Sequence, residues 1–446
     1  MLFPVHSVRD ALTTMADGTI KQISPFSGTQ VWTVPGRGNR PLSRREKEPE
    51  PLTAQQFTDS CNFCEANQLA TPPEKSRMIA GEDGWEILRG LHPEQLNQTR
   101  AEFRRVPNLF EIVSYDYWAQ NYGYEMPREQ RRRMDAYLSD AHGREHVYAI
   151  ARTRLNASGA GDVTNEDDLL RVVPAYFGGG HDVIIARRHF VDNATDDSQL
   201  ASSGTLTPDE HYGFMVFTID ALHDLLEANR YAPYVVVFQN WLSAAGASFD
   251  HLHKQLVAID DRGVQSELEI EKLRRNLNLY NEWGVNYASY RNLVIAENDA
   301  AVVVAGIGHR YPTASIYSKS PTCEPWKQRD DEVRGFSDLL HATHAATGAE
   351  VACNEEWHYR PVDLDLPMPW RVNIKWRLST VAGFEGGTKI YVNTLSPFDV
   401  RDRLVTNLYK LRDQGRIAEG IRIAAECSPA RNVLRYNPML GGSKDP

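Results

Sequence analysis

Short apolar runs and strict alternation mark the middle of the chain. Tyr234-Val-Val-Val-Phe238 is an unbroken run of strand length, and Gln255-Leu-Val-Ala-Ile259 is a second, so both predict buried strands. Between them lies a turn of small residues at Gly246, Ala247 and Ser248. If residues from 251 onward already belong to the second strand, the period of two puts His251, His253 and Gln255 on one face. Leu252 and Lys254 then point the other way. Upstream, residues 23–34 predict a turn followed by an alternating strand, and His181–His189 predicts another strand.

Helical spacing is equally clear elsewhere. Thr207-Pro-Asp-Glu210 opens a helix that runs through Asn229. Thr207 is its N-cap, Pro208 its first helical position and Glu210 the far side of a capping box. Met215, Ile219, Leu222 and Leu226 recur at helical spacing and form a core stripe. A helix start is predicted at Met126–Met134, a loop over residues 156–168, a polar linker over 43–52 and helix around Glu267–Trp283. The second half repeats this order: strands within Tyr290–Ala305 and at Ala314–Tyr317, a helix over Gln328–Thr347, then Trp357–Pro361 and Trp370–Arg377. Such an order predicts an α+β chain.

Composition narrows the function classes. With 446 residues, 41% hydrophobic and 24% charged, the chain can build two or three ordinary domains or one large duplicated one. Its formal net charge of -10 argues against a general nucleic-acid binder. No stretch approaches the roughly 18 uninterrupted apolar residues of a membrane helix. The start has no basic segment followed by an apolar one, so neither a signal peptide nor a membrane partner is expected. Five cysteines, two of them close together, do not make a disulfide framework, and a cytoplasmic setting is expected.

Three groups of residues carry candidate chemistry. Two imidazoles and an amide in a row on a strand are costly to bury without partners, so His251, His253 and Gln255 reach solvent, a metal, a phosphate or a substrate. Cys61-Asn-Phe-Cys64 is open between redox, metal and chance; two thiolates at this spacing can share a zinc, which then needs two further ligands. Arg37 and Arg40, three apart in a Gly/Pro loop, are either solvated charge or phosphate forks.

Asn240, Gly246-Ala-Ser248 and His251-x-His253-x-Gln255, with Cys61-x-x-Cys64 and Arg37-x-x-Arg40-Pro, together resemble the galactose-1-phosphate uridylyltransferase family of the histidine-triad-like superfamily. The resemblance covers roughly residues 20–110 and 175–410. It implies two fused triad-like halves, each a mostly antiparallel sheet with helices packed on it: residues 1–262, with an insertion at about 115–170, and residues 263–446. It also implies a structural zinc on Cys61, Cys64, His189 and His251, with His181 as the second choice on the same strand.

By the same resemblance His253 is the nucleophile and Gln255 its phosphoryl partner. Arg37, Arg40, Asn108, Asn240, Gly246 and Ser248 hold nucleotide and phosphates, and Glu385 faces the sugar. The implied activity moves a nucleoside monophosphate, uridylyl in the family, between sugar 1-phosphates through a nucleotidyl-histidine. A nucleoside diphosphate sugar and a sugar 1-phosphate are thus the implied partners, with a homodimer as the assembly. A dinucleoside polyphosphate or nucleotide-sugar phosphorylase is the alternative, and a non-catalytic nucleotide-binding protein is an alternative of another class. The family's second metal site maps onto Glu269 and His358, but Asn373 and Lys375 stand where its other histidines would, so a second metal is not expected.

Overall fold

The computed structural model describes residues 10–36, 48–82, 84–159 and 165–440. They fall into two compact units. The first unit is Glu48–Asp261 with Pro361–Asp363; the second is Arg262–Arg360, the stretch from Leu364 and the strands before residue 48.

Those N-terminal strands are β1 (Leu12–Thr14), β2 (Ile20–Ile23) and β3 (Gln30–Thr33), an antiparallel meander. The first unit follows with β4 (Ser76–Gly81), β5 (Gly84–Arg89) and β6 (Phe103–Pro107). Next come five helices: α1 (Tyr115–Tyr122), α2 (Arg128–Ser139), α3 (Ala141–Ala157), α4 (Glu166–Val172) and α5 (Pro174–Gly178). Then come β7 (His181–Ala186), α6 (Pro208–Ala228), β8 (Tyr234–Trp241) and β9 (His253–Ile259). The sheet order is β8-β9-β7-β6-β4-β5, antiparallel throughout.

α6 begins as its sequence requires. The Thr207 hydroxyl accepts from the Glu210 amide and the Glu210 carboxylate accepts from the Thr207 amide, a cap that stabilises by about 1 kcal/mol. Met215, Ile219 and Leu222 are buried, but Leu225 rather than Leu226 completes the stripe. The ring of Phe214 stacks on Phe103 of β6 at 4.9 Å, so α6 covers one face of the sheet. The expected insertion is helical and has its own core around Met126, Tyr137, Val147, Ile150 and Phe177. Pro127 is the N-cap of α2, one residue after the expected start. Both ends of the expected loop at 156–168 are helical: α3 runs to Ala157 and α4 begins at Glu166 behind the Asn165 cap.

The second unit continues with α7 (Val264–Arg275), α8 (Tyr287–Tyr290), β10 (Val294–Glu297), β11 (Ala301–Ala305), β12 (Thr313–Ser318) and α9 (Asp330–Thr347). It ends with β13 (Cys353–His358), β14 (Arg371–Trp376), α10 (Gly383–Thr388), β15 (Ile390–Asn393), α11 (Pro397–Asp413) and β16 (Arg422–Ile423). The helix expected over Glu267–Trp283 stops at Arg275 and resumes as a wider turn at Asn281–Asn286. Asn276 breaks it by spending its side chain on the Glu282 carboxylate and the Asn278 amide. The sheet order is β13-β14-β12-β11-β10-β16, and β15 joins β3 in parallel.

The two sheets repeat one topology. β8-β9-β7-β6-β4 in the first matches β13-β14-β12-β11-β10 in the second, with α6 and α9 in the same connection. Registers match as well: Val183, Gln255 and Phe238 lie abreast in one, Ser315, Asn373 and Glu356 in the other. The fold is therefore α+β with two triad-like halves, a duplication too worn to read from sequence identity. Among the described residues no helix is long and apolar enough to cross a membrane.

Candidate active site and metal centre

Four donors from distant parts of the first unit converge. Cys61 and Cys64 sit in a tight turn closed by the Cys64 amide on the Cys61 carbonyl at 3.0 Å. His189 follows β7 and His251 precedes β9. The two Sγ atoms are 3.8 Å apart. Cys61 Sγ lies 3.5 Å from Nδ1 of both histidines, and Cys64 Sγ lies 3.4 Å from His189 Nδ1 and 3.8 Å from His251 Nδ1. A tetrahedral ion with Zn–S of about 2.3 Å and Zn–N of about 2.0–2.1 Å has S–S and S–N edges of roughly 3.5–3.8 Å, which these five distances fit. His251 Nε2 donates to the Ala186 carbonyl at 2.6 Å, which turns the Nδ1 lone pair toward the sulfurs. His181, the second choice, points elsewhere and is not part of this cluster.

His253 opens β9, fully within the protein. Its Nδ1 lies 2.7 Å from the His251 carbonyl oxygen. A carbonyl only accepts, so Nδ1 carries the proton and Nε2 keeps the lone pair. Burial pushes the imidazole down to about 4, against the upward pull of that hydrogen bond, so it is neutral near pH 7. The ring of Phe63, inside the cysteine turn, stands edge-on to His253 at 5.2 Å and tilts against Phe249 at 4.6 Å. Lys254 takes the opposite face as alternation requires, with its ammonium 4.8 Å over the Phe214 ring and 3.2 Å from Gln239 Oε1.

Gln255 is held by residues the sequence did not assign to it. His181 Nδ1 accepts from the Ile112 amide at 3.1 Å, so its Nε2 bears the proton and donates to Gln255 Oε1 at 3.1 Å. Asn108 Oδ1 accepts from the Phe110 amide at 2.8 Å, which places Asn108 Nδ2 3.1 Å from His181 Nε2 and 3.4 Å from Gln255 Oε1, its acceptor when Nε2 carries the proton. Burial pushes His181 down to about 4, in keeping with a neutral donor. With its oxygen occupied twice, Gln255 has its amide NH₂ left to give. The strand parity of His181, two residues before Val183 opposite Gln255, was the sequence signal for this contact.

Behind His181, Asp182 is buried between Lys75 at 2.7 Å and Arg105 at 2.6 Å, and Lys75 also donates to the Gly179 carbonyl at 2.9 Å. These pairs tie the start of β7 to β6, to the entry of β4 and to the end of α5.

The other expected residues are distributed as follows. Asn240 is the penultimate residue of β8, beside the turn: a Cβ added at Gly246 would lie 4.0 Å from Asn240 Nδ2. Gly246 has φ +91, a left-handed conformation that suits glycine. Ser248 is exposed in the same loop. Arg37 and Arg40 lie outside the described residues. Glu385 belongs to the second unit, where it accepts from the Ala382 amide at 3.1 Å and lines a cavity of ≈ 1200 Å³ with Trp32 and Phe384.

In the second unit Arg371 takes the strand position that His253 takes in the first, and Asn373 that of Gln255. Glu269 accepts from Arg371 Nη1 at 2.5 Å and Nη2 at 2.8 Å, and from the Tyr280 hydroxyl at 2.6 Å. A guanidinium thus neutralises that carboxylate. His358 lies 3.2 Å from Asn373 Nδ2, and Lys375 pairs with Glu356 at 2.5 Å.

The family described as "Domain of unknown function (DUF4921)" matches residues 15–436. An ADP-glucose phosphorylase of Arabidopsis thaliana is 28% identical over 178 residues, 37% of this chain and 50% of that protein. The chain thus matches about half the length of this curated relative. The crystal structure of an ADP-glucose phosphorylase from Arabidopsis thaliana with bound ADP-glucose superposes with a TM-score of 0.57 at 18% identity, covering 86% of this chain and 97% of that one. A GalT-like protein from the same plant superposes with a TM-score of 0.53 at 18% identity, covering 86% and 98%.

Proposed function

The chain belongs to the DUF4921 family, and we propose that it is a divergent member of the galactose-1-phosphate uridylyltransferase and histidine-triad-like superfamily, in support of which it shares the fold of an ADP-glucose phosphorylase and a GalT-like protein, and that it is a nucleotidyltransferase. In this reading it splits a nucleoside diphosphate sugar through a nucleotidyl-His253 intermediate. The observation that supports it most is the tautomer of His253. With Nδ1–H held by the His251 carbonyl, Nε2 is a buried, neutral nucleophile.

Nε2 attacks the α-phosphorus. The bond from that phosphorus to the bridging oxygen breaks, and sugar 1-phosphate leaves with the electron pair. His253 gives up no proton in this step; positive charge growing on its ring is met by the His251 carbonyl. The Gln255 amide donates to a phosphoryl oxygen without acting as an acid, so the adduct waits for its acceptor. A phosphate oxygen of the acceptor then attacks the same phosphorus, the N–P bond breaks and neutral His253 returns.

Arg37, Arg40, Asn108, Asn240, Ser248 and the backbone at Gly246 are proposed to hold the nucleotide and phosphates. Cys61, Cys64, His189 and His251 would hold zinc. Four protein ligands leave it no open position, so it would act as a structural tie. The name of the Arabidopsis relative supports inorganic phosphate as acceptor and an adenine nucleotide. Glu385, on a cavity of ≈ 1200 Å³, favours a second reading, in which a sugar 1-phosphate is the acceptor.

Incubation with ADP-glucose or UDP-glucose alone, followed by intact-protein mass measurement, tests the proposal. The expected result is one added nucleoside monophosphate, absent in His253→Ala and released by inorganic phosphate or by a hexose 1-phosphate according to the true acceptor. Turnover without any adduct, or full turnover in His253→Ala, overturns it.

A further inference from the structure

We propose that the second unit contains an anion-binding pocket for a small phosphomonoester, of the size of a phosphorylated monosaccharide. A polar cavity of ≈ 320 Å³ is lined by Arg310, Tyr311, Lys375, Arg377 and Tyr391, with the hydroxyls of Ser27 and Thr29 and the Gln265 amide. Three cations and the single carboxylate of Glu356 face it, in a chain whose net charge is -10. Lys375 is paired with Glu356 at 2.5 Å. The two arginines are not in ion pairs among the described residues.

Their placement is built rather than incidental. The Arg310 guanidinium lies 5.3 Å over both Tyr311 and Tyr391, and that of Arg377 lies 4.5 Å over the same Tyr311. One ring therefore serves two guanidiniums. Arg377 Nη1 donates to Asn354 Oδ1 at 2.8 Å, whereas its Nε is buried with no acceptor. A buried N–H without a partner is costly, and two like charges around one ring repel. A tetrahedral oxyanion with several acceptor oxygens answers both, because guanidinium forks match it and tolerate its charge.

Size and lining refine the ligand class. A cavity of ≈ 320 Å³ stands at the small end of ligand pockets, roughly 300–1,000 Å³, enough for a sugar phosphate and too little for a whole nucleotide sugar. The hydroxyls, the amide and the tyrosines suit sugar hydroxyls. Free phosphate shares the anionic part of this chemistry. The inference does not depend on the reading of His253.

Backbone hydrogen exchange of the full-length protein tests it, with glucose 1-phosphate, inorganic phosphate and glucose as separate probes. Glucose 1-phosphate should slow exchange over residues 308–311 and 390–393 in the native protein, inorganic phosphate should do so more weakly, and glucose should not. The Arg310→Gln/Arg377→Gln variant should lose this protection. Exposed Arg310 changed alone to Gln should weaken the apparent affinity about tenfold, which covers a double variant that fails to fold. Nucleotide adduct formation at His253 should be unchanged in Arg310→Gln, so the two readings fail separately. No protection in native protein by either phosphate probe, or unchanged protection in Arg310→Gln, overturns the inference. Equal protection by the two phosphate probes would restrict the site to the bare anion and overturn the sugar-phosphate assignment.

Discussion

His251 and His253 are joined by one hydrogen bond, from Nδ1 of His253 to the carbonyl oxygen of His251 at 2.7 Å. The residue that completes the Cys/His cluster through its ring thus fixes, through its backbone, the tautomer of the proposed nucleophile. Position and protonation of His253 both depend on the local order of this turn.

The cluster should therefore carry folding energy. One zinc per chain is expected on metal analysis of purified protein. Cys64→Ser should abolish it and lower the thermal midpoint by about 10 °C, whereas His253→Ala should keep both. Zinc-free native protein of undiminished stability would contradict the assignment.

Phe63 links the cysteine turn to His253 through its ring. Phe63→Ala should leave zinc content intact and slow adduct formation about tenfold, since a loosened nucleophile spends less time in line. Stopped-flow quench and mass measurement give the rate. An unchanged rate would mean that the ring only fills space.

His181 imposes a pH dependence. Its folded value, about 4, lies below the ordinary 6.5 because burial disfavours the cation. Between these values the unfolded chain binds the extra proton. Stability is therefore full above about pH 6.5 and falls as pH drops toward 4, by roughly 3 kcal/mol from this group. Urea unfolding at several pH values should show His181→Gln with a shallower slope than the native protein. Equal slopes would refute the neutral-donor assignment.

Glu269 and Arg371 are both buried in the second unit. Arg371→Leu should destabilise by about 3–5 kcal/mol because it strands a carboxylate, and a Glu269→Gln/Arg371→Leu pair should recover part of that loss. Denaturant titration of the three proteins measures it; a double variant no better than the single would show that the guanidinium acts mainly through its packing on Phe26 and Tyr280.

Local pattern was enough for much of this protein. Alternation alone set His253 and Gln255 on one face of β9 and Lys254 on the other, because side chains on a strand alternate whatever the fold. The Thr207 cap and the stripe of α6 were legible because a helix's start and core face follow from neighbours within a few residues. The Cys-x-x-Cys spacing offered Cys61 and Cys64 as a metal pair and the family resemblance added His189 and His251; the structure brings all four within 4.8 Å of one another.

Tertiary structure decided the rest. His181 looked like a spare metal ligand; only the register of β7 on β9, and the Ile112 amide on its Nδ1, turn it toward Gln255. Glu269 falls near a metal position of the resembled family, where no second metal was expected, and only the structure brings Arg371, 102 residues away in sequence, onto its carboxylate. The duplication was legible only in the order of its elements, and its strand registers were hidden for the same reason. Topology and register depend on which strands pair, a non-local choice that sequences can keep while nearly every side chain, including a histidine exchanged for an arginine, is replaced.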